Sequence, residues 1–178
     1  MNSSGDLMDL GQFFTSADLI GIAPEIILTI TALSILTLEM FRVSRTGIIL
    51  LVAAIGLLLA VGTAANIGGD KQFLFGGMLV ISRFSVFFDF LYISIGLVTL
   101  IFSQGYLEKR GSASRGEYPA LILFAVIGMM LMTKANDLVI VFLGLELLSL
   151  SLYVLVGFLR HDQLSNESGL KYLLLGAF

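Results

Sequence analysis

Glu146 is the residue of this 178-residue chain whose position most clearly indicates chemistry. It lies eight positions into an apolar segment at 138–159, roughly 12 Å from the start of a helix that rises about 1.5 Å per residue. Ser149, Tyr153 and Gly157 follow at i+3, i+7 and i+11, so a carboxylate, a hydroxyl and a phenol share one helical face. Such a stripe can line a hydrated path for protons.

Two interpretations of Glu146 stay open at this point. An ionisable side chain inside the hydrocarbon layer costs at least about 2.5 to 3.5 kcal/mol on insertion scales, and such residues often mark proton relays or ion paths. The alternative is a neutral, buried carboxyl group that hydrogen-bonds between helices and stabilises their packing. Burial and a nearby lysine would together decide whether the carboxyl group holds or releases a proton.

Lys171 is the second candidate, 25 residues after Glu146 and third in an apolar segment at 169–178. It can be a relay member, since a buried lysine readily loses its proton, or a lysine that snorkels to the interface from a helix end. His161 lies in the preceding loop, where a solvated turn and a proton-entry role are both open. We therefore predict a proton relay of Glu146 and Lys171, with Ser149, Tyr153 and His161 as auxiliary residues.

The composition places these residues in a membrane. The chain is 57% apolar and 13% charged, with a mean hydropathy of +1.00, far outside the range of soluble globular proteins. Ten basic residues and a net charge of −3 provide no basic surface for nucleic acid. The absence of cysteine and the single histidine exclude iron–sulfur clusters, thiolate metal sites and bis-histidine haem. Any redox chemistry must then occur on another polypeptide.

A helix needs about 20 apolar residues to cross a bilayer, and the search for such segments divides the chain. The sequence predicts five spans and the start of a sixth, at 19–41, 46–67, 82–104, 119–133, 138–159 and 169–178. Ten residues cannot cross a bilayer, so we expect the chain to be part of a longer protein.

The segments between the spans complete this division. Residues 1–18 form a segment on the outer side, 19–104 hold helices 1 to 3, and 105–118 form a cytoplasmic loop. Within the first region, 68–80 contains two short apolar runs around Gly76-Gly77, typical of a hairpin with a two-residue turn, although a coil fits nearly as well.

Other charged residues near the spans have less specific interpretations. Glu25 and Glu39 lie near the borders of the first span, which favours interfacial or capping roles. Asp89 lies about two turns inside the third span, where packing against Arg83 or a loop is as good an explanation as transport. Lys134 opens the tight turn KAND between the fourth and fifth spans.

The distribution of lysine and arginine predicts the orientation, because cytoplasmic loops are enriched in these residues. With the N-terminus outside, six of them fall on the inner side and three on the outer side. The inner residues are Arg42, Arg45, Lys109, Arg110, Arg115 and Arg160, and the outer ones are Lys71, Arg83 and Lys134. The N-terminus is therefore expected on the outer side.

Four stretches of this sequence resemble a known family. The text GLELLSLSLYVLVGF at 144–158 and SNESGLKYLLLGAF at 165–178 closely resembles the N type of the antiporter-like membrane subunits of NADH:quinone oxidoreductase, respiratory complex I. APEIILTITALSILTLEMF at 23–41 and LFGGMLVISRFSVFF at 74–88 also resemble the N-terminal part of that subunit. The resemblance covers nearly the whole chain.

The resemblance implies an all-α polytopic membrane protein, in which this chain supplies the N-terminal five to six helices of a fourteen-helix antiporter-like fold. Two inverted five-helix repeats with discontinuous helices belong to that fold. The first repeat would begin at the fourth span, so that 119–178 supplies its helices 4, 5 and the beginning of 6. In the family, the glutamate of helix five pairs with a lysine of helix seven, and a lysine of helix six belongs to the same polar axis. Glu146 and Lys171 match the glutamate and the helix-six lysine.

Two positions depart from the family pattern. Ser82 stands where the resemblance leads us to expect an acidic residue, and Asp89 stands where a basic or neutral residue is more usual. Neither position belongs to the proposed axis.

The function that the resemblance implies is proton translocation coupled to electron transfer in other subunits. NADH, FMN, iron–sulfur clusters and quinone would then be bound elsewhere in the complex, with no cofactor in this chain. The implied partners are the lipid bilayer, the M, L, K, J and A type membrane subunits and the peripheral subunits, in a bacterial inner membrane. The alternatives are a cation/proton antiporter or membrane-bound hydrogenase subunit of the same fold, or a purely structural membrane anchor.

Overall fold

The computed structural model describes residues 16–41, 46–67, 70–109 and 116–177. This part of the chain holds seven α-helices, one antiparallel hairpin and a short 3₁₀ turn. The helices are α1 (Ser16–Gly21), α2 (Ala23–Met40), α3 (Thr46–Asn66), α4 (Arg83–Lys109), α5 (Glu117–Lys134), α6 (Leu138–Val156) and α7 (Gln163–Ala177). The strands are β1 (Gln72–Leu74) and β2 (Leu79–Ile81).

The first predicted span, 19–41, is divided into α1 and α2. Pro24 lies in the first turn of α2, where its missing N–H group leaves no intrahelical bond unmade. The predicted outer segment 1–18 therefore ends in helical structure, because α1 already begins at Ser16. Residues 1–15 of that segment lie outside the described part of the chain.

Several helix boundaries differ from the hydropathy prediction. Helix α4 continues to Lys109, five residues into the predicted loop 105–118. Helix α7 begins at Gln163 instead of at 169, because polar residues can form a helical turn that a search for apolar residues misses. Asp162 supports that turn, since its Oδ1 accepts a hydrogen bond of 3.0 Å from the backbone N–H of Leu164, as helix-capping residues do.

The hairpin has a four-residue connection, Phe75 to Met78, between the paired residues Leu74 and Leu79. The sequence predicts a two-residue turn at Gly76-Gly77, and the longer connection places Phe75, Gly76 and Gly77 at positive φ. Side chains of α1 and of the turn after α5 hold this connection in place. Asp18 accepts a 3.0 Å hydrogen bond from the Phe75 N–H, and the Asn136 side-chain amide donates one of 2.8 Å to the Gly77 carbonyl.

Helix α3 is apolar on every side, but only one of its faces is buried against other helices. Its buried side chains recur every three or four residues, and they are Ile49, Ala53, Leu57, Ala60 and Ala64. Three of the five are alanines, which let helix backbones approach closely inside a membrane. The small residues therefore mark the protein-facing side of α3.

Helix α5 lies at the centre of the bundle. It contacts α2, α3, α4 and α6, and 56% of its span is buried, against 11% of the α6 span. Five helices (α2 to α6) are long and apolar enough to cross a membrane, and their outer faces carry many exposed large apolar side chains, as lipid contact requires. The chain is a multi-pass membrane protein.

The hairpin marks one end of this bundle, which we call the hairpin end. Residues of β2 contact α4 and α5, and Leu79 forms a single β-bridge with Ala135, directly after α5. Since successive helices alternate in direction, α2, α4 and α6 begin at this end, and α3 and α5 finish there. Ser82 caps α4 at this point by accepting a 3.3 Å hydrogen bond from the Ser85 N–H, a typical use of serine at a helix start.

Candidate functional site

Glu146 owes its depth in the membrane to a well-defined start of α6. The Asp137 carboxylate precedes the helix and accepts a 2.7 Å hydrogen bond from the Val139 N–H, so α6 begins at Leu138. Glu146 then lies near the middle of a 19-residue helix. The predicted depth of this carboxylate follows from that position.

A glycine contact holds α6 directly against α5. A Cβ atom on Gly128 would lie 2.7 Å from the Gly144 carbonyl oxygen and 2.8 Å from the Leu148 nitrogen. Both of these atoms belong to the α6 backbone, so no side-chain movement can relieve the clash. The two backbones touch at this point, as helices with facing small residues do in membranes. This contact places Glu146, two residues after Gly144.

Part of the predicted stripe on α6 lines an open groove against α7. Ser149 and Tyr153 border this groove, whose volume is about 340 Å³, together with Tyr172 of α7. The rings of Tyr153 and Tyr172 meet edge to face at 5.3 Å between centroids. Glu146 and Ser149 are both partly buried. Ser149 and Tyr153 therefore face this open groove, whereas Glu146 is not one of the residues that line it.

The structure does not join Lys171 to Glu146. Lys171 is exposed and forms an ion pair of 2.5 Å with Glu167, one turn earlier in α7. His161 is also exposed, in the turn between α6 and α7. Among the described residues, no ion pair to Glu146 occurs.

The most deeply buried charges of the described residues lie at the hairpin end and were not among the predicted site residues. The Lys134 ammonium lies 2.6 Å from Oε1 of Glu25 and 2.8 Å from Oδ2 of Asp89. The three residues are 1%, 4% and 0% exposed, respectively. They join α5, α2 and α4, and we call them the Lys134 cluster.

Three sequence interpretations are wrong at this cluster. Lys134 is the buried last residue of α5 and not the first residue of a turn. Glu25 does lie in the first turn of α2, but it is buried against Lys134 instead of facing the interface. Asp89 pairs with Lys134 and not with Arg83 or a loop, and Arg83 is exposed.

One sequence signal does anticipate this cluster. Each of the three residues lies near an end of its own apolar segment: Glu25 at the start of one, Asp89 soon after the start of another, and Lys134 at the end of a third. Because successive spans alternate in direction, these three ends meet at one membrane face. Opposite charges at such ends are candidates for a buried pair.

Glu39 lies at the opposite end of the bundle from the cluster. Its carboxylate accepts a hydrogen bond from the backbone N–H of Gly116, at the start of α5. There, too, Arg160 pairs with Glu117 at 3.5 Å, and both side chains are largely exposed. Glu39 therefore ties α2 to α5, which is more than the interfacial or capping role predicted for it.

The comparisons with known proteins agree with the resemblance. Residues 135–178 match the family model described as NADH:quinone oxidoreductase/Mrp antiporter, transmembrane. NADH-quinone oxidoreductase subunit N 1 of Solibacter usitatus is 38% identical over 96% of this chain and 35% of its own length. Subunit N of Trichlorobacter lovleyi is 37% identical over 96% of this chain and 35% of its own length.

A third relative has a shorter and closer match. Subunit N 1 of Koribacter versatilis is 54% identical over 58% of this chain and 20% of its own length. The chain spans about a third of the length of the first two relatives. The chain belongs to the NADH:quinone oxidoreductase/Mrp antiporter family and resembles its N-type subunits.

Proposed function

We propose that this chain is part of a membrane subunit of NADH:quinone oxidoreductase that translocates protons while other subunits transfer electrons. The observation that carries this proposal is a carboxylate, Glu146, in the middle of a membrane-spanning helix of a chain related to N-type subunits. Intramembrane carboxylates typically serve proton relays.

The surroundings of Glu146 support a proton path. Ser149 and Tyr153 follow it on the same face of α6 and border the groove against α7. Hydroxyl groups and water in such a groove can pass protons to and from a carboxylate. We propose that Glu146 holds the proton at mid-membrane and that Ser149 and Tyr153 order the water beside it.

Lys171 is the proposed second member of the relay. Its ion pair with Glu167 lies on the exposed surface of α7, and a surface pair of this kind contributes little stability. The ammonium can therefore leave Glu167 at small cost while the pair is exposed. In the family, the partner of the glutamate is a lysine of the seventh transmembrane helix, beyond Phe178.

We expect Glu146→Gln in the full-length subunit to abolish most proton translocation, because glutamine keeps the shape of glutamate but cannot bind and release a proton. Proton uptake by membrane vesicles on NADH addition measures this, beside the rate of quinone reduction and the assembly of the complex. Glu117→Gln is the matched control, since that carboxylate is 44% exposed and its replacement should leave translocation unchanged. Unchanged translocation in Glu146→Gln, with lower stability of the complex, would instead indicate a structural anchor.

For Lys171, the relay and the surface pair predict different results. We expect Lys171→Ala to lower proton translocation severalfold and Glu167→Gln, which breaks the same ion pair, to leave it near normal. The same vesicle assay measures both variants. Equal effects of the two substitutions would mean that Lys171 acts only through its surface ion pair with Glu167.

We further propose that the chain lies in a bacterial inner membrane with its hairpin end outward. The burial of Lys134 supports this orientation, because the cation no longer counts among the exposed basic residues of that side. Among the described residues, the exposed basic residues of the hairpin end are then Lys71 and Arg83. They are fewer than the predicted basic residues of the opposite end, which are Arg160 and those of the inner loops. Of those, Arg42, Arg45, Arg110 and Arg115 lie outside the described residues. A cysteine placed in the hairpin should react with impermeant maleimide from outside intact cells.

The proposed partners are the peripheral subunits of the complex and its M, L, K, J and A type membrane subunits, with NADH, FMN, iron–sulfur clusters and quinone bound outside this chain. A cation/proton antiporter or membrane-bound hydrogenase subunit is the second candidate, because the family model that matches 135–178 also covers Mrp antiporters. Mass spectrometry of the copurified subunits separates these candidates, since NADH:quinone oxidoreductase brings a flavin subunit that oxidises NADH, a hydrogenase brings its hydrogen-activating subunit, and an antiporter brings neither.

A further inference from the structure

The Lys134 cluster contains two carboxylates and one ammonium group in a space closed to solvent. Side-chain exposure is 0% for Lys134, 6% for Glu25 and 0% for Asp89. If all three groups were ionised, the cluster would carry a net charge of −1 within the protein. A buried charge without a partner is strongly unfavourable, so the charge count calls for one more positive charge.

The hydrogen bonds distinguish the two carboxylates. Lys134 donates a hydrogen bond of 2.6 Å to Oε1 of Glu25. It also lies 2.8 Å from Oδ2 of Asp89, without the geometry of a hydrogen bond, so both carboxylate oxygens of Asp89, but only Oε2 of Glu25, lack a hydrogen-bond partner. Since a buried carboxylate normally accepts several hydrogen bonds, the ionised form of Asp89 is poorly supported and Glu25 is the better anion.

No other charge on the surrounding elements compensates Asp89. Helix α3 has no charged residue within its Thr46–Asn66 sequence, and strands β1 and β2, Gln72–Leu74 and Leu79–Ile81, have none either. Glu25 of α2 and Lys134 of α5 are the charged groups that face Asp89 among the described residues. Arg83 of α4 is exposed. No side chain among the described residues supplies the missing positive charge, which a bound cation would provide.

We propose that the Lys134 cluster is a proton-binding site in which Asp89 carries one proton and Lys134 pairs with ionised Glu25. A single proton makes the cluster neutral and needs no space of its own. The site is separate from Glu146, and the inference does not depend on the role proposed for that residue.

A pair of hydroxyl groups joins α4 and α5 close to the cluster in sequence. Tyr92, three residues after Asp89 in α4, and Thr133, next to Lys134 in α5, lie 3.1 Å apart between their oxygens. The Thr133 hydroxyl donates a hydrogen bond of 3.0 Å to the Met129 carbonyl, so Tyr92 is the donor to Thr133 in this pair. The pair lies on the side of the cluster that faces the membrane interior, because it is further from the ends of both helices.

Infrared spectroscopy of the full-length protein in its purified complex tests the proposal, because a protonated carboxyl group has its own carbonyl stretching band. The spectrum of each variant is compared with that of the unsubstituted protein. We expect one such band to disappear in Asp89→Asn, and also in Glu25→Gln, because Lys134 then pairs with ionised Asp89. Lys134→Met should add a second band, since both carboxyl groups are then protonated. Glu117→Gln, at an exposed carboxylate, should leave the spectrum unchanged.

Isotope labelling identifies the protonated residue without any loss of folding. We expect the band that Asp89→Asn removes to shift when aspartate is labelled with carbon-13 at its side-chain carboxyl group. A shift with labelled glutamate only would overturn the assignment to Asp89. If neither Asp89→Asn nor Glu25→Gln removes a band, the proposal of a bound proton is wrong. The site then either holds another cation or remains charged.

Discussion

Replacing Lys134 by methionine is expected to destabilise the full-length protein by about 3 to 5 kcal/mol, the usual cost of removing one partner from a buried ion pair. Glu25 would lose the hydrogen bond from the ammonium and its counterion together. Glu25 then takes up a proton on folding, so the loss should be smaller at acidic pH, where that uptake costs less. Thermal unfolding in detergent across a pH series measures both effects.

Lys71→Met is the matched control for this substitution. Lys71 is an exposed lysine at the same end of the bundle, near the ring of Phe73, and surface charges of this kind contribute within about 1 kcal/mol. Similar losses of stability in the two variants would show that Lys134 is not the electrostatic link between α2, α4 and α5. The control also separates this effect from a general effect of removing a positive charge.

The second large effect is expected from Gly128→Ala. The added methyl group would lie 2.7 Å from the Gly144 carbonyl oxygen and 2.8 Å from the Leu148 nitrogen, so α5 and α6 must move apart. We expect a loss of about 1 to 3 kcal/mol, the range for overpacking in a well-packed interior. Proton translocation should fall as well, because the movement displaces Glu146 on α6.

Gly62→Ala makes the same chemical change where nothing lies within 4 Å of the added atom. Alanine favours the helix over glycine by up to roughly 1 kcal/mol, so this control should be neutral or slightly stabilising. Gly128→Ala should therefore lower the stability and Gly62→Ala should leave it unchanged or raise it, and thermal unfolding can detect this difference. Two stabilised variants would mean that α5 and α6 are not in backbone contact at Gly128.

The membrane helices could be predicted from the sequence because hydropathy is a local property. A segment of about 20 apolar residues is helical in a bilayer wherever it lies, since its backbone must satisfy its own hydrogen bonds. The depth of Glu146 follows from the same count. Helix ends with polar residues, such as the first turn of α7, were missed because their helical structure depends on capping and not on hydropathy.

The Lys134 cluster shows what only the tertiary structure decides. Glu25, Asp89 and Lys134 are each separated from the next by more than 40 residues of sequence, and each alone fits an interfacial position. Whether they meet depends on how α2, α4 and α5 are rotated and how deeply each is set, which the contacts of other side chains determine.

The sequence by itself determined the class of protein, the helix that carries Glu146 and the family, because composition, span length and motif spacing are linear properties. The tertiary structure decided which charges are paired. It buried Lys134 between two carboxylates and left Lys171 on the surface with Glu167. The physical reason is that the cost of a charge depends on its neighbours and its exposure, and both are set only when the helices pack.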